Sequence, residues 1–270
     1  MGTIQEWNGT ELKDRAVERA MRIDLAAAFR LAVRLDLHEG VCNHFSVMLP
    51  DKGGKGSVEA PHNARFLLNR YGLHWSEVTA GNLLTLDAAG NVLEGEGEYE
   101  KTAFYIHGRI HVANPRATCV LHTHMPYATA LTLLEGGRLE MVEQNALRFH
   151  DDIAYDDIYN GLVVDTAEGD RLARAMGSKR VMFLANHGVI VVGPSVAEAF
   201  DLMYYLERAC RLQVLARSVV TNSGGKLRAV RSDVIQSAYK LMLADAPKYA
   251  AAHFEALKRI LDREEPAYSR

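Results

Sequence analysis

Apolar residues between Glu11 and His38 recur at helical spacing. Leu12, Ala16, Ala20, Ile23, Ala27 and Leu31 form one stripe, widened by Val17, Met21, Leu25 and Phe29, and Gly40 supplies the stop. The period then shortens. Asn43 to Leu49, Arg65 to Leu68, Leu83 to Leu86 and Val92-Leu93 read as strands, the last two joined by a turn at Asp87 to Asn91. Lys101 to Val112 is a second helix, ended by Asn114-Pro115. Arg116 to Leu121 is an apolar, β-branched strand, and Ala128 to Leu134 a short helix closed by Gly136-Gly137. Leu139 to Tyr159 has no clear period and reads as strand and loop over the mouth of a site.

The C-terminal half alternates in the same way. Asp165 to Met176 is a helix stopped by Gly177, and Val181 to Ala185 and Val189 to Val192 are buried strands flanking the turn Asn186-His187-Gly188. Ser195 is an N-cap with Glu198 placed to complete a capping box, and its helix runs to about Val220. Ser232 to Leu261 is a helical tail, broken near Pro247, with Ala238, Leu241, Ala250 and Leu257 as its apolar stripe. No repeat or linker divides the chain, so residues 1–225 read as one α/β domain and residues 226–270 as its helical C-terminal extension.

Composition narrows the function classes. The 270 residues are 48% hydrophobic and 24% charged, with a net charge of −3, which gives no basic surface for nucleic acid or an anionic membrane. No apolar run is long enough for a bilayer, and the N-terminus carries no signal-peptide pattern. Cys42, Cys119 and Cys210 are distant, odd in number and set among apolar residues, which suits reduced, buried thiols in a cytoplasmic protein. Asp51 to Gly56 is rich in glycine and lysine but lacks phosphate-loop spacing, and reads as a solvated hairpin loop.

The chemistry concentrates in histidine. On a strand, His122 and His124 point to one face with Thr123 between them, and Pro126 ends the ladder, so both stand at an open sheet end. His187 is a third histidine at a strand terminus, followed by a glycine that lets the backbone turn close to a ligand. Three neutral imidazoles form a usual donor set for a catalytic divalent metal, whereas each alone is as readily a hydrogen-bonded turn residue. His107 and His111, one helical turn apart before the His-Thr-His strand, read first as packing residues and second as supports of the metal ligands. His38, His62, His74 and His253 read as surface or locally satisfied residues.

Three segments carry a family likeness: Glu39-Gly40-Val41-Cys42-Asn43-His44-Phe45-Ser46-Val47, Ala113-Asn114-Pro115 leading into His122-Thr123-His124, and Asn186-His187-Gly188 through Gly193 with Leu206-Glu207 beyond. In this order the chain resembles the class II aldolase/adducin family. The resemblance implies a three-layer α/β/α domain with a central, mostly antiparallel sheet. It implies one divalent ion per chain on His122, His124 and His187, zinc before manganese, iron or cobalt, and a homotetramer with sites at subunit boundaries. It also implies carbon–carbon bond cleavage of a small-molecule substrate through a metal-chelated enediolate.

The chain departs from the aldolase pattern in two places. The family's catalytic glutamate stands one helical turn before the position of His107, where this sequence has Ala103; its serine pair for phosphate is replaced by Lys101-Thr102. Decarboxylation of a hydroxylated carboxylic acid therefore ranks first, then aldol cleavage, with epimerisation and a non-catalytic, adducin-head-like binding module as further readings. Glu143 is the candidate acid/base, and Asn43, His44, Arg70, Lys101 and Thr102 are the candidate substrate contacts.

Overall fold

The computed structural model describes residues 9–50 and 64–270. The Asp51–Gly56 loop and His62 lie outside the described residues. Helix α1 (Gly9–Arg34) leads into strands β1 (His44–Leu49), β2 (Arg65–Leu68), β3 (Leu84–Asp87) and β4 (Val92–Glu94). Helix α2 (Lys101–Ala113), strand β5 (Cys119–Thr123), helix α3 (Pro126–Thr132), strand β6 (Ile153–Asp156) and helix α4 (Thr166–Met176) follow. Strands β7 (Val181–Leu184) and β8 (Gly188–Gly193) precede helices α5 (Val196–Ser223) and α6 (Ser232–Glu264).

The strands form one sheet of eight in the order β4-β3-β2-β1-β5-β8-β7-β6. Among the described residues only β6 and β7 run parallel, and the other pairs are antiparallel. Its central strands are buried at every residue, so both faces are covered. The alternation of each strand sorts the layers. Phe45, Val47, Leu121, Val189 and Val191 face a core shared with α1, α3, α5 and α6. Val120, Met182, Ile190 and Val192 face the other way, onto Ile106 and Ile110 of α2 and Leu172 and Met176 of α4. The result is the expected three-layer α/β/α arrangement. Gly169 permits the second helical layer to close, since a Cβ there would lie 2.2 Å from the Tyr105 carbonyl oxygen.

Several boundaries differ from those read in the sequence. The first helix ends at Arg34, and Asp36 takes a positive φ of 56°. Strand β5 starts at Cys119 because Arg116 and Ala117 are occupied in a turn around Asn114, and it carries on to Thr123. Ser195 caps α5, but the Glu198 carboxylate accepts a hydrogen bond from the Ser195 hydroxyl rather than closing a capping box. Pro247 does not break α6. The helix continues because its packing onto α5 and α1 persists beyond the proline, with Ala250, Phe254 and Leu261 buried. Of the forecast stripe, Leu241 is instead 73% exposed. The last residues return to the body of the chain, where Ala80 and Gly81 donate to the carbonyls of Tyr268 and Arg270. Cys119 and Cys210 are buried free thiols, whereas Cys42 is exposed because it sits in the turn before β1. Among the described residues no helix is long and apolar enough to cross a membrane.

Candidate metal centre

His122 is the fourth residue of β5 and projects, fully buried, from the face covered by α2. His124 follows just past the strand end, where Met125 and Pro126 turn the chain into α3. His187 arrives from the tight turn between β7 and β8, where Asn186 adopts a φ of 57° and the His187 N–H donates to the Leu184 carbonyl. The three rings form a nearly equilateral triangle, with centroids 5.0 Å apart for His122–His124 and 4.8 Å for each of the other two pairs. One nitrogen from each lies within 4.8 Å of the other two.

Hydrogen bonds at the back of two rings decide which nitrogen faces the triangle. His122 Nδ1 lies 3.0 Å from the Val189 carbonyl oxygen, which only accepts, so Nδ1 bears the proton and Nε2 the lone pair. His124 Nδ1 lies 2.5 Å from a carboxylate oxygen of Glu39, with the same consequence. His124 Nε2 is buried and has no partner among the described residues. A carboxylate or carbonyl behind the ring and a bare Nε2 in front is the arrangement metal-ligating histidines take. This donor set therefore fits a borderline divalent ion such as zinc.

Asn43 and His44 complete the near surroundings. The Asn43 side-chain oxygen accepts from the His124 N–H at 3.3 Å, and its buried Nδ2 has no partner among the described residues. His44 stands directly opposite His122 in the β1–β5 ladder, with the two rings 4.9 Å apart. Burial, reinforced by His187 and His124, pushes the His44 pKa down to about 3. Burial, with His124 adding to it, lowers His187 to about 4, and burial holds His122 well below the ordinary imidazole value. Burial thus keeps His44, His122 and His187 neutral. Tyr159, from the loop after β6, stands with its ring 6.5 Å from that of His187.

The other residues singled out in the sequence have partners near them in the chain or are exposed. Glu143 accepts from the N–H groups of Asn145 and Ala146 at 2.8 and 2.7 Å, so it is the local cap of the single turn at 146–149. An acid in an apolar stretch has here backbone partners two and three residues away. Thr102 and the Ala103 N–H are held by Glu100, whose carboxylate already fills the anion position at the start of α2. Lys101 at that terminus is exposed. Arg70 is exposed and lies against Gly97, at which a Cβ would stand 2.4 Å from the Arg70 Nε. Ala103 is buried between Leu68 and Leu86, so α2 brings no carboxylate from that position. Glu39 was not singled out, although it opens the first of the family-like segments.

The class II aldolase and adducin N-terminal domain family matches residues 23–214. An adducin-related protein of Schizosaccharomyces pombe is 29% identical over 259 residues, which cover 93% of this chain and 76% of that protein. The crystal structure of an aldolase II superfamily protein from Pseudomonas syringae superposes with a TM-score of 0.82 at 31% identity, covering 94% of this chain and 96% of the other. An L-fuculose 1-phosphate aldolase from Glaciozyma antarctica has a TM-score of 0.78 at 22% identity, over 100% of this chain and 97% of its own, a likeness of fold.

Proposed function

The chain belongs to the class II aldolase and adducin N-terminal domain family, and on that premise we propose that it is a divalent-metal-dependent carbon–carbon lyase whose preferred reaction is decarboxylation of a hydroxylated carboxylic acid. One observation carries the reading. Three histidines converge, and two of them have Nδ1 tied back to an acceptor, leaving a buried, unpartnered Nε2 on His124. A descendant of the fold that only bound partners would gain nothing from burying such a nitrogen, since an unsatisfied polar atom costs on the order of 1–3 kcal/mol.

His122, His124 and His187 would hold the ion, with zinc the best match to an all-imidazole set. The ion would supply Lewis acidity to a ligand that chelates through its hydroxyl and carbonyl oxygens. The chain's own groups orient that ligand. The unpartnered Nδ2 of Asn43 is a fixed donor for a ligand oxygen, and its side-chain oxygen is held by the His124 N–H. His44 lies beside it. Ala103 leaves no acid at the aldolase position, which favours a reaction that departs with carbon dioxide over one needing proton exchange there. Exposed Leu133 and Leu134, with Ile158, Tyr159, Leu162 and Val164 of the loop after β6, support assembly into a homo-oligomer whose contacts run close to the site.

Elemental analysis of chelator-free protein beside His122→Ala tests the reading. About one divalent ion per chain, lost in the variant, supports it, and release of carbon dioxide from a panel of hydroxy acids then identifies the reaction. Protein that stays metal-free when offered zinc or manganese would favour the binding-module reading that the adducin-related likeness suggests.

A further inference from the structure

Four buried polar side chains run inward from the centre along the sheet face under α2. His44 and Ser46 alternate along β1, and His107 and His111 face them from consecutive turns of α2. All four are buried, at 3%, 1%, 2% and 0% exposure respectively. His111 Nδ1 meets the Ala117 carbonyl oxygen at 2.5 Å, and His111 Nε2 lies 2.7 Å from Ser46 Oγ. Ser46 Oγ is 2.6 Å from His107 Nδ1, and His107 Nε2 is 2.8 Å from His44 Nδ1.

The chain of contacts has only one consistent direction. A carbonyl oxygen cannot donate, so His111 Nδ1 holds its proton and His111 Nε2 must accept. Ser46 therefore donates its one hydroxyl proton to His111 and accepts from His107 Nδ1–H. His107 Nε2 is then bare and accepts from His44 Nδ1–H. The final consequence falls on His44, whose Nε2 is left without a proton. This holds for neutral rings, and burial keeps them so: His111 is lowered to about 4, and His107 well below the usual range.

We propose that Ser46, His107 and His111 are positioning residues that fix the tautomer of His44, so that its bare Nε2 is a hydrogen-bond acceptor beside the three-histidine centre. His44 is not one of the converging ligand atoms, although it stands opposite His122. It is thus a partner for a group that donates. Given the function proposed above, that group is the hydroxyl of the chelating acid, with Asn43 Nδ2 as the donor to a ligand oxygen nearby. A ligand carrying a hydroxyl is recognised, whereas an ether or a keto analogue meets lone pair against lone pair. The anchor of this recognition is a backbone carbonyl beyond the far end of the chain, with no contact to the ligand.

The test is read on metal-free protein by two-dimensional nitrogen–proton spectroscopy of the histidine rings, where protonated and bare nitrogens resonate far apart. The expected wild-type result is Nδ1–H at His44, His107 and His111. In Ser46→Ala, the His107 Nδ1–H loses its acceptor, so His107 and His44 become a mixture of tautomers with Nε2–H appearing at His44. Ser46→Thr, which keeps the hydroxyl, restores the wild-type pattern. An Nε2–H at His44 in the wild type overturns the proposal even if the variants fail to fold, as does an unchanged His44 in a folded Ser46→Ala. Because no metal is present, the outcome stands apart from metal binding: failure of His122, His124 and His187 to bind an ion would overturn the proposed function and leave this result untouched.

Discussion

The α-carbon of Gly188 faces the ring of His124 so closely that a Cβ on it would lie 2.7 Å from the His124 Cδ2 and 2.6 Å from the Thr123 carbonyl oxygen. Gly188 has no positive φ, so its role is space and not backbone freedom. Since Thr123 pairs with Val189 in the ladder, the backbone at this point cannot move away without opening β5 from β8. Gly188→Ala should therefore displace His124 and cost about 1–3 kcal/mol as overpacking. Zinc titration and thermal melting of the variant check this. Unchanged metal affinity would show that His124 is not held as described.

Glu39 acts on the same histidine from the opposite side. Its carboxylate accepts from His124 Nδ1, which fixes the ring and leaves Nε2 to a metal. Glu39 is itself 62% exposed, so the pair adds little to folding stability. Glu39→Ala should lower metal affinity about 10–100-fold with the melting temperature of the metal-free protein nearly unchanged. Calorimetric titration with zinc separates the two effects; a large fall in metal-free stability would mean that the pair holds the fold instead.

These two relationships show where sequence reading stops. His122, His124 and His187 were legible because strand alternation and a turn glycine are local, whereas the three layers were what the family resemblance implied. Support for those ligands is not local. Glu39 reaches His124 across 85 positions, and the link from His44 to His107 depends on which face α2 turns to β1. Sequence read His107 and His111 mainly as packing, since a buried histidine on an apolar helix face looks the same whether it packs or hydrogen-bonds. Glu143 and Thr102 show a different limit, since their hydrogen bonds are to near neighbours. Each is a polar residue near an apolar stretch, and each is satisfied by its immediate neighbours at a helical start, a local solution that competes with any distant site.

Glu207 joins α5 to the start of α3. Its two carboxylate oxygens accept from the N–H groups of Tyr127 and Ala128, each at 2.8 Å, directly after the His-Thr-His segment. Burial raises its pKa to about 7 despite those two bonds. An acid whose folded pKa is raised loses stability as pH climbs from its unfolded value towards the folded one. Glu207→Ala should cost about 2–3 kcal/mol by orphaning both N–H groups. Glu207→Gln keeps an acceptor and has no charge to bury, so its stability relative to wild type should improve as pH rises from about 5 to 8. Urea denaturation of both variants at several pH values measures this, and a difference independent of pH would show that Glu207 is ionised in the fold across that range.

The buried histidines set the acid limit of the fold. His44, His107, His111 and His122 all have folded pKa values depressed by burial, with His44 at about 3 and His111 at about 4. In the unfolded chain each titrates near the ordinary value of about 6.5. Above that pH neither state binds these protons and the contribution to stability is fully present; below it the unfolded chain takes them up first, and stability is lost as pH falls towards 4. One such group gives up about 2 kcal/mol between pH 7 and pH 5, and four together make the fall steep. Urea denaturation of the metal-free protein through this interval should therefore show more than two protons taken up on unfolding near pH 5.5. Bound zinc should keep the slope at least as steep, because the ion withholds His122, already counted among the four, and the other two ligand imidazoles from protonation. An uptake below one proton would mean that the line of histidines from the centre to Ala117 carries charge in the folded state, and the one-way order of its hydrogen bonds would not hold.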